Sequence, residues 1–110
     1  MSYDAWIEMD CGGPEKLTVA DIGNMTSNVS GMWSDALGFS LSELEGKTAG
    51  EVIKPLRSAI AKLSDPANKE KYSAMEPKNG WGDLAGACDY LRGILEACEE
   101  APLGTLRISY

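Results

Sequence analysis

Apolar and polar residues alternate at the head of the chain. Tyr3, Ala5, Ile7 and Met9 fall between Asp4, Trp6, Glu8 and Asp10. A period of two predicts a half-buried strand. Cys11-Gly12-Gly13-Pro14 ends it. Residues 14–23 read as an ordered loop, with Leu17, Val19 and Ile22 tucked beneath it. Met25, Val29, Met32, Trp33, Ala36 and Leu37 then share one face of an amphipathic helix. Asn24, Thr26 or Ser27 supplies its N-cap, and Gly38 fits the C′ position. Gly31 inside this helix costs about 1 kcal/mol relative to alanine and lets another element approach closely.

Phe39, Leu41 and Leu44 predict a short helical turn closed by Gly46. Thr48 followed by Glu51 matches a capping box. Val52, Leu56, Ala59, Ile60 and Leu63 mark the next helix, with a kink or broken first turn expected at Pro55. Asp65-Pro66 opens a further short helix that ends near Met75. After the loop 76–82, Leu84, Ala87, Cys88, Leu91, Ile94, Leu95 and Cys98 form the cleanest helical stripe in the chain. Pro102 closes it. Leu106, Ile108 and Tyr110 alternate with Thr105, Arg107 and Ser109, which predicts a second strand.

These elements predict an α+β fold of order β-α-α-α-β in one compact domain spanning 1–110. Its two terminal strands pair antiparallel and pack on three main helices, because an isolated two-stranded sheet is marginal. Such pairing sets Arg107 on the polar face of Asp4 or Glu8. Each strand keeps one open edge, which suits a homodimer formed through strand edges.

Charge sharpens the picture. The 110 residues carry a net charge of −7. Residues 1–45 hold eight acids and one base, residues 46–82 seven bases and four acids, and residues 83–110 five acids and two bases. Acidic ends oppose direct nucleic-acid binding through phosphates. A bipolar layout suits a complementary protein partner or head-to-tail self-association, and the plainer account is solvated faces. No apolar run approaches the length of a membrane span. The string Met1-Ser2-Tyr3-Asp4 lacks a basic or apolar leader, so the expected location is cytoplasmic. Cys88 and Cys98 stand about 15 Å apart on a helix, too far to bridge. With Cys11, they read as reduced thiols.

The chain contains no histidine. That removes Ser-His-Asp and Cys-His dyads and histidine metal ligands. No phosphate-binding GxxxxGK[ST] loop and no strand-linked GxGxxG occurs. Cys11 beside Gly12-Gly13 lacks a base to activate it. Asp4, Glu8 and Asp10 remain as a carboxylate face suited to Mg²⁺, Ca²⁺ or acid/base work. The plainer account is an exposed strand face offset by Arg107.

Two polar strings stand out instead. Asn24-Met25-Thr26-Ser27-Asn28 is dense in short hydrogen-bonding side chains. At a helix N-terminus it would offer N–H groups to an anion. Asn79-Gly80-Trp81-Gly82-Asp83 places a tryptophan between two glycines at the mouth of the best helix. If the two helix starts face each other, Trp81 stacks on a planar ligand or partner beside Asn24, Asn28 and Asn79. Otherwise Trp81 plugs a gap between helices.

Tyr3-Asp4-x-Trp6, Asn24-x-Thr26-Ser27-Asn28-Val29-x-x-Met32-Trp33, Asn79-Gly80-Trp81-Gly82-Asp83, Ala59-Ile60 and the run Tyr90 to Cys98 carry a resemblance. The chain resembles small uncharacterised proteins encoded by actinobacteria and their phages. The likeness covers nearly the whole length. It implies a bacterial cytoplasm, or an infected cell, and no mechanism.

The expected function is therefore non-enzymatic binding of a protein partner, with no cofactor and no metal. The contact set is Asn24, Thr26, Ser27, Asn28, Asn79, Trp81 and Asp83. The alternative is a receptor or sponge for a nucleotide-like small ligand, as in phage counter-defence. The third reading is a metal-dependent carboxylate enzyme.

Overall fold

The computed structural model describes residues 2–110, so Met1 of the N-terminal string Met1-Ser2-Tyr3-Asp4 lies outside them. The fold is α+β. Strand β1, Ser2–Met9, is the centre of a three-stranded antiparallel sheet. The C-terminal strand β3, Thr105–Ser109, flanks it on one side, with Ala5 opposite Ile108 and Ile7 opposite Leu106. The terminal strands thus pair as their alternation predicts.

The third strand corrects the sequence reading. Strand β2, Leu17–Thr26, occupies most of the stretch expected to be a loop. It pairs with the other side of β1, with register shifts between Ala5 and Trp6 and between Ile7 and Glu8. Each shift inserts an extra residue into β2, at Ile22 and at Val19. A bulge of this kind breaks the two-residue period and so conceals the strand. Gly23 supplies a positive φ of 88° beside the first bulge, and its N–H donates to Asp21 Oδ1 at 2.9 Å. The helix expected from residue 25 accordingly begins later. A single 3₁₀ turn, Ser27–Val29, leads into α1, Ser30–Leu37, which ends on Gly38.

Helix α2, Ala49–Ser64, runs unbroken through Pro55. Its expected capping box is not made, since Thr48 gives no side-chain cap and is drawn into a bridge with Thr105. The box forms earlier, between Ser40 and Glu43, in the 3₁₀ turn Leu41–Leu44. A 3₁₀ turn, Pro66–Asn68, precedes the short α3, Lys69–Ser73. Helix α4, Leu84–Glu100, packs on α2 and on the sheet. No helix among the described residues is long and apolar enough to cross a membrane.

Tyr3, Ala5, Ile7, Leu106 and Ile108 bury the inner face of the sheet against these helices. Trp33 of α1 is fully buried between Tyr3 and Tyr90, edge-on to the first at 5.2 Å and stacked on the second at 5.5 Å. The Tyr90 hydroxyl donates to the Gly23 carbonyl of β2 at 2.9 Å. This aromatic group joins the sheet, α1 and α4, and so fixes where the start of α4 stands.

The edges of the sheet are unequal. Beside β3, Gly46 N–H donates to Leu106 O at 2.8 Å and Leu106 N–H to Lys47 O at 2.9 Å. Glu45 accepts the Ile108 N–H through its carboxylate. Residues 45–48 thereby cover that edge. The open edge belongs to β2, whose residues 17–19 are all exposed.

Candidate functional site

The two polar strings meet at Gly82. Its φ is +107°, and an added Cβ would stand 2.7 Å from Val29 Cγ1 and 3.0 Å from Thr26 Cγ2. Glycine is therefore required twice, by the backbone and by the space. The loop after α3 leans on the β2–α1 turn at this point. One residue earlier, Trp81 projects outward with 71% of its surface exposed. Its backbone N–H donates to Asn79 Oδ1 at 2.9 Å, and the Gly80 N–H donates to Pro77 O at 3.2 Å. These bonds form a tight turn on which the indole stands. Trp81 is therefore not a core plug.

The remaining residues of the expected set serve local structure. Thr26 Oγ1 accepts the Asn28 N–H at 3.3 Å and caps the 3₁₀ turn. Asn28 is exposed and Ser27 half-buried. Asn24 does not stand at a helix start, because β2 carries it to the outer face of the sheet, where its amide donates to Asp4 Oδ1 at 3.3 Å. Asp83 caps α4 by accepting the Gly86 N–H at 2.7 Å. Glu76, which sequence reasoning missed, accepts the Leu84 N–H at 2.7 Å. Two carboxylates thus already occupy two of the N–H groups that an anion would use at this helix start.

The carboxylate face of β1 is divided. Asp10 lies past the end of the strand and accepts the Gly12 N–H at 2.9 Å. Glu8 accepts the Trp6 indole N–H at 2.9 Å and pairs with Arg107 at 3.1 Å. The Trp6 hydrogen bond, then Arg107, holds the Glu8 carboxyl below its ordinary range. Arg107 also pairs with Glu45 at 2.5 Å. Among the described residues no three potential ligands are gathered to hold a metal ion.

Cys11 is exposed, whereas Cys88 and Cys98 are buried free thiols. Burial pushes Cys98 up to about 11 and raises Cys88 as well. Neither is a thiolate nucleophile near neutral pH.

A hollow of about 630 Å³ opens beside the Trp81 loop, between the end of α2, α3 and the start of α4. Leu63, Leu84 and Cys88 are among its apolar lining, and Asp83 is its one member of the expected contact set. No signal in the sequence marks it, because its walls come from three separate helices.

No protein-family model matches the chain, and no curated protein or solved structure matches it either.

Proposed function

We propose that the chain is a non-enzymatic binding protein that engages a protein partner through the surface around Trp81. The observation that carries this reading is an indole 71% exposed on a loop anchored by Gly82. A large exposed aromatic gains free energy when a partner covers it, and tryptophan is enriched among the residues that dominate interfaces. The Asn79 turn holds the backbone in place beforehand, so little loop entropy is lost on docking. Asn79, which accepts the Trp81 backbone N–H, and Thr26, which stands against Gly82, are polar residues beside it.

The resemblance to actinobacterial and phage proteins supports a bacterial cytoplasm, or an infected host cell, as the setting. Self-association, if it accompanies this role, uses the open edge of β2, because residues 45–48 cover β3. The net charge of −7 favours a basic partner face.

Affinity capture from lysate with the native chain and with Trp81→Ala tests the reading. The expected result is loss of a captured protein with Trp81→Ala while the melting curve is unchanged. Equal capture by both proteins removes Trp81 from the interface.

A further inference from the structure

The hollow between α2, α3 and α4 has the size of a small-molecule site. Its volume of about 630 Å³ lies within the range of about 300–1,000 Å³ that ligand pockets occupy. Leu63 and Cys88 are both buried at its floor, 3% and 5% exposed. Among the described residues the Cys88 thiol has no hydrogen-bond partner, so the floor offers an apolar surface with one unused weakly polar atom.

The walls select for charge. Arg92 is paired with Asp89 at 3.3 Å. Lys69 is then the one base left against Asp65, Glu76 and Asp83. Each of these carboxylates accepts a backbone N–H through one oxygen: Ala67 at 2.9 Å, Leu84 at 2.7 Å and Gly86 at 2.7 Å. None is paired with a Lys or Arg among the described residues. Their second oxygens remain as acceptors. The hollow also meets the C-terminal end of α2 at Ser64 and Asp65, the negative end of the helix dipole. The hollow meets the positive start of α4 as well, but there Glu76 and Asp83 already take the Leu84 and Gly86 N–H groups and set their negative charge against that end of the dipole.

We propose that this hollow binds a small organic ammonium ion, its apolar body on Leu63 and Cys88 and its charge among Asp65, Glu76 and Asp83. The inference is independent of the Trp81 surface. The ammonium's charge is opposite to that of the nucleotide-like ligand in the alternative reading of the sequence.

Three phenethyl probes that differ in head-group charge test it on the full chain: phenethylammonium, 2-phenylethanol and 3-phenylpropanoate, each titrated at neutral pH. The readout is the amide NMR shifts at Leu84–Cys88. Saturable shifts are expected, strongest with the ammonium and weakest with the carboxylate. Asp83→Asn keeps the helix cap, since asparagine caps as well as aspartate. Asp83→Asn and Glu76→Gln should each weaken ammonium binding by about two- to fivefold without lowering the melting temperature. Preference for the carboxylate, equal binding of all three, no saturable shift with any, or ammonium binding indifferent to both substitutions overturns the proposal.

Discussion

The Trp33 indole N–H donates to the Ala87 carbonyl at 3.0 Å, linking α1 to α4 across the sheet's inner face. Trp33 is fully buried and touches Tyr3 and Tyr90. Trp33→Ala would remove the bond, both ring contacts and a large buried volume. The expected loss is about 3–5 kcal/mol, read as a lower urea midpoint with an unchanged slope. Trp33→Phe keeps most of the apolar contact and should cost less.

Gly82→Ala separates space from backbone conformation. Both Gly80 and Gly82 have positive φ, at 77° and 107°. An added Cβ at Gly80 meets nothing within 4 Å, whereas at Gly82 it collides with Val29 and Thr26. Gly80→Ala should cost about 1 kcal/mol. Gly82→Ala should cost more, about 1–3 kcal/mol, and lift the loop from the β2–α1 turn. Melting curves give the stabilities. NMR shifts at Thr26 and Val29 report the contact, and they should move with Gly82→Ala alone.

Tyr72 and Asp35 make stability depend on pH in opposite directions. The Tyr72 hydroxyl donates to Asp35 Oδ2 at 2.8 Å. Burial, then that hydrogen bond, pushes Tyr72 up to about 12. A phenol in the unfolded chain titrates near about 10. The folded chain holds the proton more tightly, so the stabilisation is complete below about pH 10 and is lost as pH rises towards 12. Cys98, pushed up to about 11 by burial, adds to the same alkaline loss. Tyr72→Phe should flatten stability against pH at the alkaline end.

At the acid end the sign reverses. Lys71, 2.8 Å from Asp35 Oδ2, and then Tyr72 hold the Asp35 carboxyl below its ordinary range. Glu8 is lowered by Trp6 and Arg107. Both contributions are present above the ordinary carboxylate range and are lost as pH falls through the lowered folded values. Urea midpoints between pH 2 and 6 should therefore fall less steeply for Asp35→Asn than for the native chain.

Much of the fold is legible where one face of an element is buried throughout. Ala87, Cys88, Leu91, Ile94 and Cys98 of the α4 stripe are buried as their spacing predicts, with Leu95 half-buried, and Ile7 opposite Leu106 bears out the terminal pairing. Legibility fails where the period is interrupted. The bulges at Val19 and Ile22 conceal β2 and, with it, the position of Asn24 on the sheet. The covering of β3 is also hidden, since Glu45 and Arg107 stand far apart in sequence. At the candidate site, Gly-Trp-Gly signals the loop correctly. The contact of Gly82 with Thr26 and Val29 depends on how β2 ends, which no local pattern records.

The central claim is that the surface around Trp81 is where a partner docks. Photo-crosslinking in cells, with a benzophenone amino acid at position 81, tests it most directly. Leu103, 84% exposed and outside the proposed surface, is the matched control position. The account predicts one discrete crosslinked protein from position 81, weaker crosslinking to it from position 28, and none from position 103. No discrete crosslink at 81, or the same adducts from 81 and 103, would contradict it.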